Sequence, residues 1–407
     1  MADEVSEERL RQIFEKRIVR FLGFANADPV HGRPPLVVLL GGQMAAGKSS
    51  SLARIIERHG GAIIPVSPDD FRAFHPAYEH IMAERPHDLV ALTSQAMYAW
   101  NAMTQQHAHE AGYPLVIEGT FGYAPGALEI VDRMTRTPDS GLHPGFEAEV
   151  AAVAVSEYRS RLDMVGRYLA QPPGRGRWAP AEAHDRVYTA IPQTLEALEA
   201  NEHVRRVVIT DRSGAVHYDN TRGDDGRWVR PPGAGEALKQ ARAEGQVPFD
   251  QQEARDWLAA YWRQAEHLAQ RGEVNAITAP TMLALHADAD HIAPIAYADD
   301  TAALEEHTRW QAVQKAAFIA GQRGADNAAL PHTPRIYFQS SRAERDAFTA
   351  AITRAGEHPG PMQVDAQAAE AVRRAQQGTA PPGQRPATVR DQERSRKRSG
   401  PESGIER

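Results

Sequence analysis

Cysteine is absent from all 407 residues. That excludes disulfide staples, thiolate metal sites and cysteine nucleophiles, and leaves the redox compartment undecided. Long apolar runs are missing too. Nothing approaches the roughly twenty residues a membrane-spanning helix needs, so no membrane partner is expected. Met1 to Glu8 is acidic without an apolar stretch, which is not the pattern of a secretory signal. The expected location is cytoplasmic, or a target cell reached without a cleaved signal peptide. Neither sign of charge dominates. With 46 Lys and Arg against 53 Asp and Glu the formal net charge is −7, too mild to mark a nucleic-acid binder as a whole. No aromatic-basic strip for a nucleic-acid partner is present either. What remains is an ordinary apolar fraction, in a chain long enough for two domains or one with a long appendage.

One stretch organises the rest. Leu36-Val37-Val38-Leu39-Leu40 is an apolar, strand-like run that enters Gly41-Gly42-Gln43-Met44-Ala45-Ala46-Gly47-Lys48-Ser49-Ser50, and a helix-permissive segment comes next. Gly42 to Ser49 fits G-x-x-x-x-G-K-[ST], the phosphate-binding P-loop, between the strand and helix that the motif requires. The glycines let backbone N–H groups curl around a phosphate, and the helix N-terminus adds partial positive charge. Lys48 would reach the β- and γ-phosphates and the Ser49 hydroxyl would ligate Mg²⁺. The expected cofactors are therefore ATP and Mg²⁺.

Before the P-loop, Val5 to Phe21 has helical spacing, with Leu10, Ile13, Phe14, Ile18 and Phe21 on one side. It reads as a helix packed on the edge of the core. Beyond the P-loop helix, Ala62 to Val66 reads as a short strand ending in Ser67-Pro68-Asp69-Asp70-Phe71-Arg72, then His75-Pro76. Side chains just past a strand's C-terminal end face the crevice where open α/β sheets bind ligands. Asp69 or Asp70 is thus a candidate base or metal-shell carboxylate, while one of the pair caps the following helix. Asp88 to Glu110 is a long helix with Leu89, Leu92, Ala96 and Trp100 on a core-facing stripe. Pro114 to Ile117 is another strand, and Glu118-Gly119-Thr120 repeats the pattern of an acid at a strand end.

A helix from about Pro125 to Arg136 leads to a strand, Ala148 to Val155. The basic helix Tyr158 to Tyr168 comes after it, with Arg159, Arg161 and Arg167. Next are a Gly/Pro-rich loop, Gln171 to Trp178, carrying Arg175 and Arg177, and a helix from Pro180 to Ala200. Arginines on such a helix–loop pair suit a lid over a transferring phosphate; a solvated basic face is the alternative. Arg205 to Asp211 and Ala215 to Tyr218, joined by Arg212-Ser213-Gly214, read as a strand and hairpin return. The alternation implies an α/β fold whose mostly parallel sheet is covered on both faces.

Beyond Asp224-Asp225-Gly226 the texture turns helical: Phe249 to Gln270, Asp299 to Gln322 and Arg342 to Ala355. His286, Asp288, Asp290 and His291 lie between the first two. They match no dedicated metal pattern and read as loop and cap residues. From Gln376 the chain is Pro, Gly, Gln and Arg, ending in Arg394-Ser395-Arg396-Lys397-Arg398. It reads as a disordered basic tail, either a solubilising appendage or an address. The expected organisation is a P-loop kinase domain over 1–230, a helical extension over 231–370 and the tail over 371–407.

Taken together, the motifs over about residues 30 to 220 resemble the zeta toxin family. These are P-loop kinases best known for phosphorylating UDP-N-acetylglucosamine. The resemblance rests on an ordered set: Gly42 to Ser49, Asp69-Asp70-Phe71-Arg72 with His75-Pro76, and Glu118-Gly119-Thr120. Arg167-Tyr168, Gly176-Arg177, His184 and Arg212-Ser213-Gly214 complete it. It implies a P-loop kinase fold in which the loop from Gly42 to Ser50 binds ATP and Ser49 binds Mg²⁺. Asp69 would be the general base, with Lys48, Arg167 and Arg177 neutralising phosphate charge, and Arg72, Glu118 and Thr120 on the acceptor. Met44-Ala45 departs from the Pro-Gly of many members, and nothing after about Gly233 matches the family core.

The resemblance further implies a toxin held by a small helical antitoxin, for which Val5 to Phe21 offers a candidate face. The alternatives keep the machinery but change the acceptor to NAD or another nucleotide, or make the chain a P-loop nucleotide sensor or interaction protein. A carboxylate beside the P-loop favours transfer over sensing, since a sensor has no use for a base facing the γ-phosphate.

Overall fold

The computed structural model describes residues 4–173, 176–244 and 249–322. The expected helix Arg342 to Ala355 and the basic tail lie outside these residues. The N-terminal helix α1 (Glu7–Ile13) runs through a π-helical turn, Phe14–Ile18, into α2 (Val19–Phe21). Strand β1 (Leu36–Gly41) leads through the glycine loop into α3 (Lys48–Arg58), and β2 (Ile64–Val66) into a 3₁₀ segment, Pro68–Phe74. Then come α4 (Tyr78–Glu84), α5 (Leu89–Ala111), β3 (Leu115–Gly119), α6 (Ala124–Met134), β4 (Glu147–Val153), α7 (Glu157–Leu169) and α8 (Ala181–Ala200). Strands β5 (Val204–Thr210) and β6 (Val216–Thr221) close the sheet. Helices α9 (Ala234–Glu244), α10 (Gln251–Gln270), α11 (Ala279–Ala296) and α12 (Thr301–Gln322) come last.

The sheet has the order β2-β3-β1-β4-β5-β6. All pairs are parallel except β5–β6. Strand β1 sits between β3 and β4, and Val37 to Leu40 are buried on both faces, which is why the run is continuously apolar rather than alternating. One core joins Val37, Leu39, Leu115, Ile117 and Val150 to Trp100, Leu195 and Leu198; the opposite face packs Val38, Leu40, Val116 and Val153 on Ile55 and Ile63. Register aligns Gly41 with Gly119 on one side and Ala152 on the other. The loops after β1 and β3 therefore emerge together, at the point where strand order reverses and open α/β sheets bind ligands.

The N-terminal stripe is spent on the protein's own core. Leu10, Ile13, Phe14 and Ile18 are buried with Ala96, Met97 and Trp100 of α5, and the Trp100 indole donates to the Leu10 carbonyl at 3.1 Å. The helix packs on the core as its spacing predicts, so these four side chains are not available as the candidate partner face. Phe21 departs from the stripe and is 55% exposed, because a π-turn inserts a residue into the helical repeat and rotates the next turn away from the core. A second correction concerns His286, Asp288, Asp290 and His291, which lie on α11 and not in a loop. Helices α10, α11 and α12 bury Trp257, Tyr261, Trp262, Leu285, Ile292 and Phe318 together with Leu162 and Val165 of α7. Among the described residues no group of three His, Asp or Glu is placed to hold a metal ion.

Helix α9, which the sequence pattern did not reveal, joins the sheet's core through Ala234, Leu238 and Ala241. The buried Glu199 carboxylate fixes its start by accepting from Gly233 N and Ala234 N at 2.8 Å each.

Where β1 ends, Gly41 is required by a close approach. A Cβ there would lie 1.9 Å from Cδ2 of Phe121, a residue itself held at φ 56° with its carbonyl accepting from Thr194 Oγ1 at 2.8 Å. Gly41→Ala should therefore destabilise the fold by about 1–3 kcal/mol, the cost of overpacking, read as a lower midpoint in urea denaturation. An unchanged midpoint would mean that the Phe121 ring moves aside freely.

Candidate active site

The P-loop wraps the start of α3, with Gly47 at φ 92° as its N-cap. Ala45, in the position of the expected departure from Pro-Gly, keeps a left-handed φ of 55°, a conformation that costs a side-chain-bearing residue about 1 kcal/mol. Cations hold the loop's carbonyls. Lys48 Nζ donates to Gly42 O at 2.8 Å and Gln43 O at 3.1 Å. From the turn after β5, Arg212 donates to Ala45 O at 2.5 Å and Ala46 O at 3.3 Å while pairing with Asp163 at 2.6 Å. The sequence flagged the Arg212 turn without giving it this role. Its place at the C-terminal edge of the sheet was the available signal. Ser49 and Ser50 are at least partly exposed on the first turn of α3.

Asp69 stands just past β2, on the 3₁₀ segment. Its two carboxylate oxygens face two arginines: Oδ1 accepts from Arg72 Nε at 3.0 Å, and Oδ2 pairs with Arg177 Nη1 at 2.5 Å. Burial pushes the Asp69 carboxyl up, but Arg177 and then Arg72 outweigh it and hold the group below its ordinary value. Asp70, by contrast, is raised by burial and by Asp69. Glu118, at the end of β3, is also raised, chiefly by burial, against the opposing pull of Lys48 and a hydrogen bond from Ser67 Oγ at 3.3 Å. Burial lowers Lys48 to about 8, with Glu118 and Asp69 opposing and Arg167 and Arg177 adding to the shift.

Asp69, Glu118, Arg167 and Arg177, from four other segments, are thus brought within electrostatic reach of Lys48. Two candidates are placed differently. The Arg72 side chain is only 7% exposed, and it spends its guanidinium on Asp69, the Val90 carbonyl at 3.0 Å and Thr93 Oγ1 at 2.7 Å. It fixes Asp69 against α5 and does not reach into the open crevice. Thr120 is exposed on the loop after β3, where its hydroxyl accepts from Gly122 N at 3.4 Å.

Known proteins resemble this part of the chain. Residues 25–223 match the sequence model of the family described as Zeta toxin. This segment is similar to the zeta toxin family. Toxin zeta of Streptococcus pyogenes is 29% identical over 189 residues, 46% of this chain and 63% of that protein, so the chain spans under two thirds of that relative. Toxin PezT of Streptococcus pneumoniae serotype 4 is 27% identical over 211 residues, covering 51% of this chain and 80% of its own. A chain from the structure of the PezAT chromosomal toxin–antitoxin system of Streptococcus pneumoniae shares the fold. Its TM-score is 0.52 at 20% identity, over 66% of this chain and 98% of that one.

In this segment the ionised state of Asp69 depends on a contact from the loop that carries Arg177. Arg177→Met removes both a nearby charge and a hydrogen bond that favour the ionised carboxylate, so the Asp69 titration should move upward. Carboxyl-carbon NMR, with Asp70→Asn to identify the signal, reads this directly. An unmoved midpoint would mean that Arg72 alone sets it.

Proposed function

We propose that this chain is an ATP-dependent kinase acting on a hydroxyl of a nucleotide sugar, with UDP-N-acetylglucosamine the first acceptor to test. We further propose that it acts as a toxin restrained by an antitoxin. The observation that carries the reading is the meeting of an ionised Asp69 with Lys48 and two lid-side arginines at the P-loop. A base, a phosphate-binding lysine and further positive charge around them are what phosphoryl transfer requires.

In this reading the loop from Gly42 to Ser50 holds the triphosphate of ATP, and Lys48 leaves its two carbonyl partners for the β- and γ-phosphates. Ser49, at the start of α3, would hold Mg²⁺, which neutralises developing phosphate charge when bound. Asp69 accepts the proton of the acceptor hydroxyl as that oxygen bonds to the γ-phosphorus. The bond from the γ-phosphorus to the bridging oxygen breaks and ADP leaves. Arg167 and Arg177 offset the charge on the transferring group. Arg72 holds Asp69 in place, while Glu118 and Thr120 border the acceptor side. The antitoxin reading is supported by the PezAT system, a toxin–antitoxin pair by its own description, and by the curated toxins among the relatives.

The acceptor is settled by incubating the full chain with labelled ATP and a panel of nucleotide sugars, NAD and oligonucleotides. Label on UDP-N-acetylglucosamine is expected; label on NAD alone would move the protein to the dinucleotide reading, and hydrolysis without transfer would overturn the kinase. Lys48→Ala should lower turnover by roughly a hundredfold or more. Asp69→Asn should cost about a hundredfold to ten-thousandfold while ATP still binds. A larger loss in Asp70→Asn than in Asp69→Asn would transfer the base role to Asp70.

A further inference from the structure

Gln43, the first residue inside the glycine frame of the P-loop, is completely buried. Its backbone carbonyl accepts from Lys48 Nζ at 3.1 Å and from Ala46 N at 3.2 Å. Its side-chain amide points the other way, into the helices. The amide nitrogen donates to Val155 O at 3.1 Å and to Ser160 Oγ at 3.3 Å, and the amide oxygen accepts from Arg242 Nη2 at 3.2 Å. One residue therefore ties the phosphate-binding lysine to α9, which lies beyond the segment 25–223.

Arg242 is a costly residue to place there. It is 3% exposed, donates from Nη1 to the Tyr188 carbonyl at 2.8 Å and lies 3.8 Å over the Tyr188 ring. Its Nε meets no hydrogen-bond partner among the described residues. Burial lowers its pKa to about 10, with Tyr188 and Glu157 opposing. A site that needed packing alone would be filled more cheaply by an apolar side chain.

A second route starts from the same amide. Ser160 Oγ lies 2.8 Å from His184 Nε2, and His184 Nδ1 lies 2.8 Å from Asp185 Oδ1. That oxygen accepts from Arg161 Nη1 at 2.8 Å, and Arg161 forks onto both oxygens of the buried Asp288 of α11 at 2.8 and 2.9 Å. With the His184 proton on Nδ1 and the Ser160 hydroxyl turned to His184 instead of to the Ser156 carbonyl at 2.9 Å, the links from Gln43 to Asp185 all donate in one direction, an arrangement that strengthens each bond. The loop these routes reach is itself strained, since Ala45 keeps its left-handed φ two residues after Gln43. Strained backbone persists only where its surroundings over-determine it.

We propose that α9 and α11 hold the P-loop in its phosphate-accepting form through Gln43, with Arg242 and Asp288 as positioning residues. The proposal rests on the reading of the loop as an ATP site. Neither residue touches the reacting atoms. Both act by keeping the Gln43 backbone in the path from which Lys48 can turn to the phosphates.

The test measures ATP affinity of the full chain by calorimetry, with a thermal melt of every variant, for wild type, Arg242→Met, Asp288→Asn, Gln43→Leu and the two doubles with Gln43→Leu. Losing a hydrogen bond from a charged donor should weaken ATP binding roughly tenfold in Arg242→Met. The longer route should give about threefold in Asp288→Asn. Each double should bind no more weakly than Gln43→Leu alone, because the effects share one path. Affinities within about twofold of wild type in both single variants, or losses that simply add in the doubles, would overturn the positioning role while leaving the kinase reading intact. A wild-type chain that binds no ATP overturns both. If Arg242→Met does not fold, Arg242→Lys replaces it, since lysine keeps the charge but cannot reach both Tyr188 O and Gln43 Oε1. At least a threefold loss is then expected, and wild-type affinity counts against the proposal.

Discussion

Strand β1 pairs with a parallel neighbour on each side, and the site is a consequence of that pairing. Because Gly41, Gly119 and Ala152 share a register, the turns beyond these strands crowd into one place. Charged residues arriving there lose water, and each then takes its protonation state from its neighbours. The same partial burial that lowers Lys48 raises Glu118, and two arginines reverse its effect on Asp69. Lys48 would be an ordinary surface lysine, and Asp69 an ordinary helix-start aspartate, if the strand ends did not coincide.

The fold was legible where its cause was local. The apolar run into Gly42, the acids closing β2 and β3, and the Arg-bearing helix and loop before α8 all announce themselves within a dozen residues. What escaped was settled by distant partners. Arg72 reads as a crevice cation until α5 supplies Val90 and Thr93 to absorb it. Phe21 continues an apolar stripe in sequence, and only the π-turn after Ile13 removes it. His286 and Asp288 resemble loop residues because alternating alanine and polar side chains carry little helical signal. Their burial becomes tolerable through Tyr261, whose hydroxyl lies 3.2 Å from His286 Nδ1, and through Arg161.

The helices after residue 230 are more than an appendage to the sheet. Helix α9 packs in the same core as Leu195 and Leu198, and α7 contributes Leu162 and Val165 to the core of α10 to α12. Helix α7 therefore has two allegiances: through Ser160 it faces Gln43 of the P-loop, and through Arg161 it faces α11. Neighbouring residues on one helix serve the two halves of the molecule, so rotation of α7 disturbs both together.

If Asp69 is the base of the proposed kinase, its contact with Arg177 bears on when it can act. Both carboxylate oxygens are engaged, and the two arginines are not equally easy to displace. Arg72 is sealed against α5, whereas the Arg177 side chain is 40% exposed on a loop between two helices. On that reading an incoming hydroxyl would reach its base by parting the second contact, which a group able to offer Arg177 new negative charge would do at least cost. Water carries no such charge. On the proposed kinase reading, a donor bound without its acceptor would find the base latched.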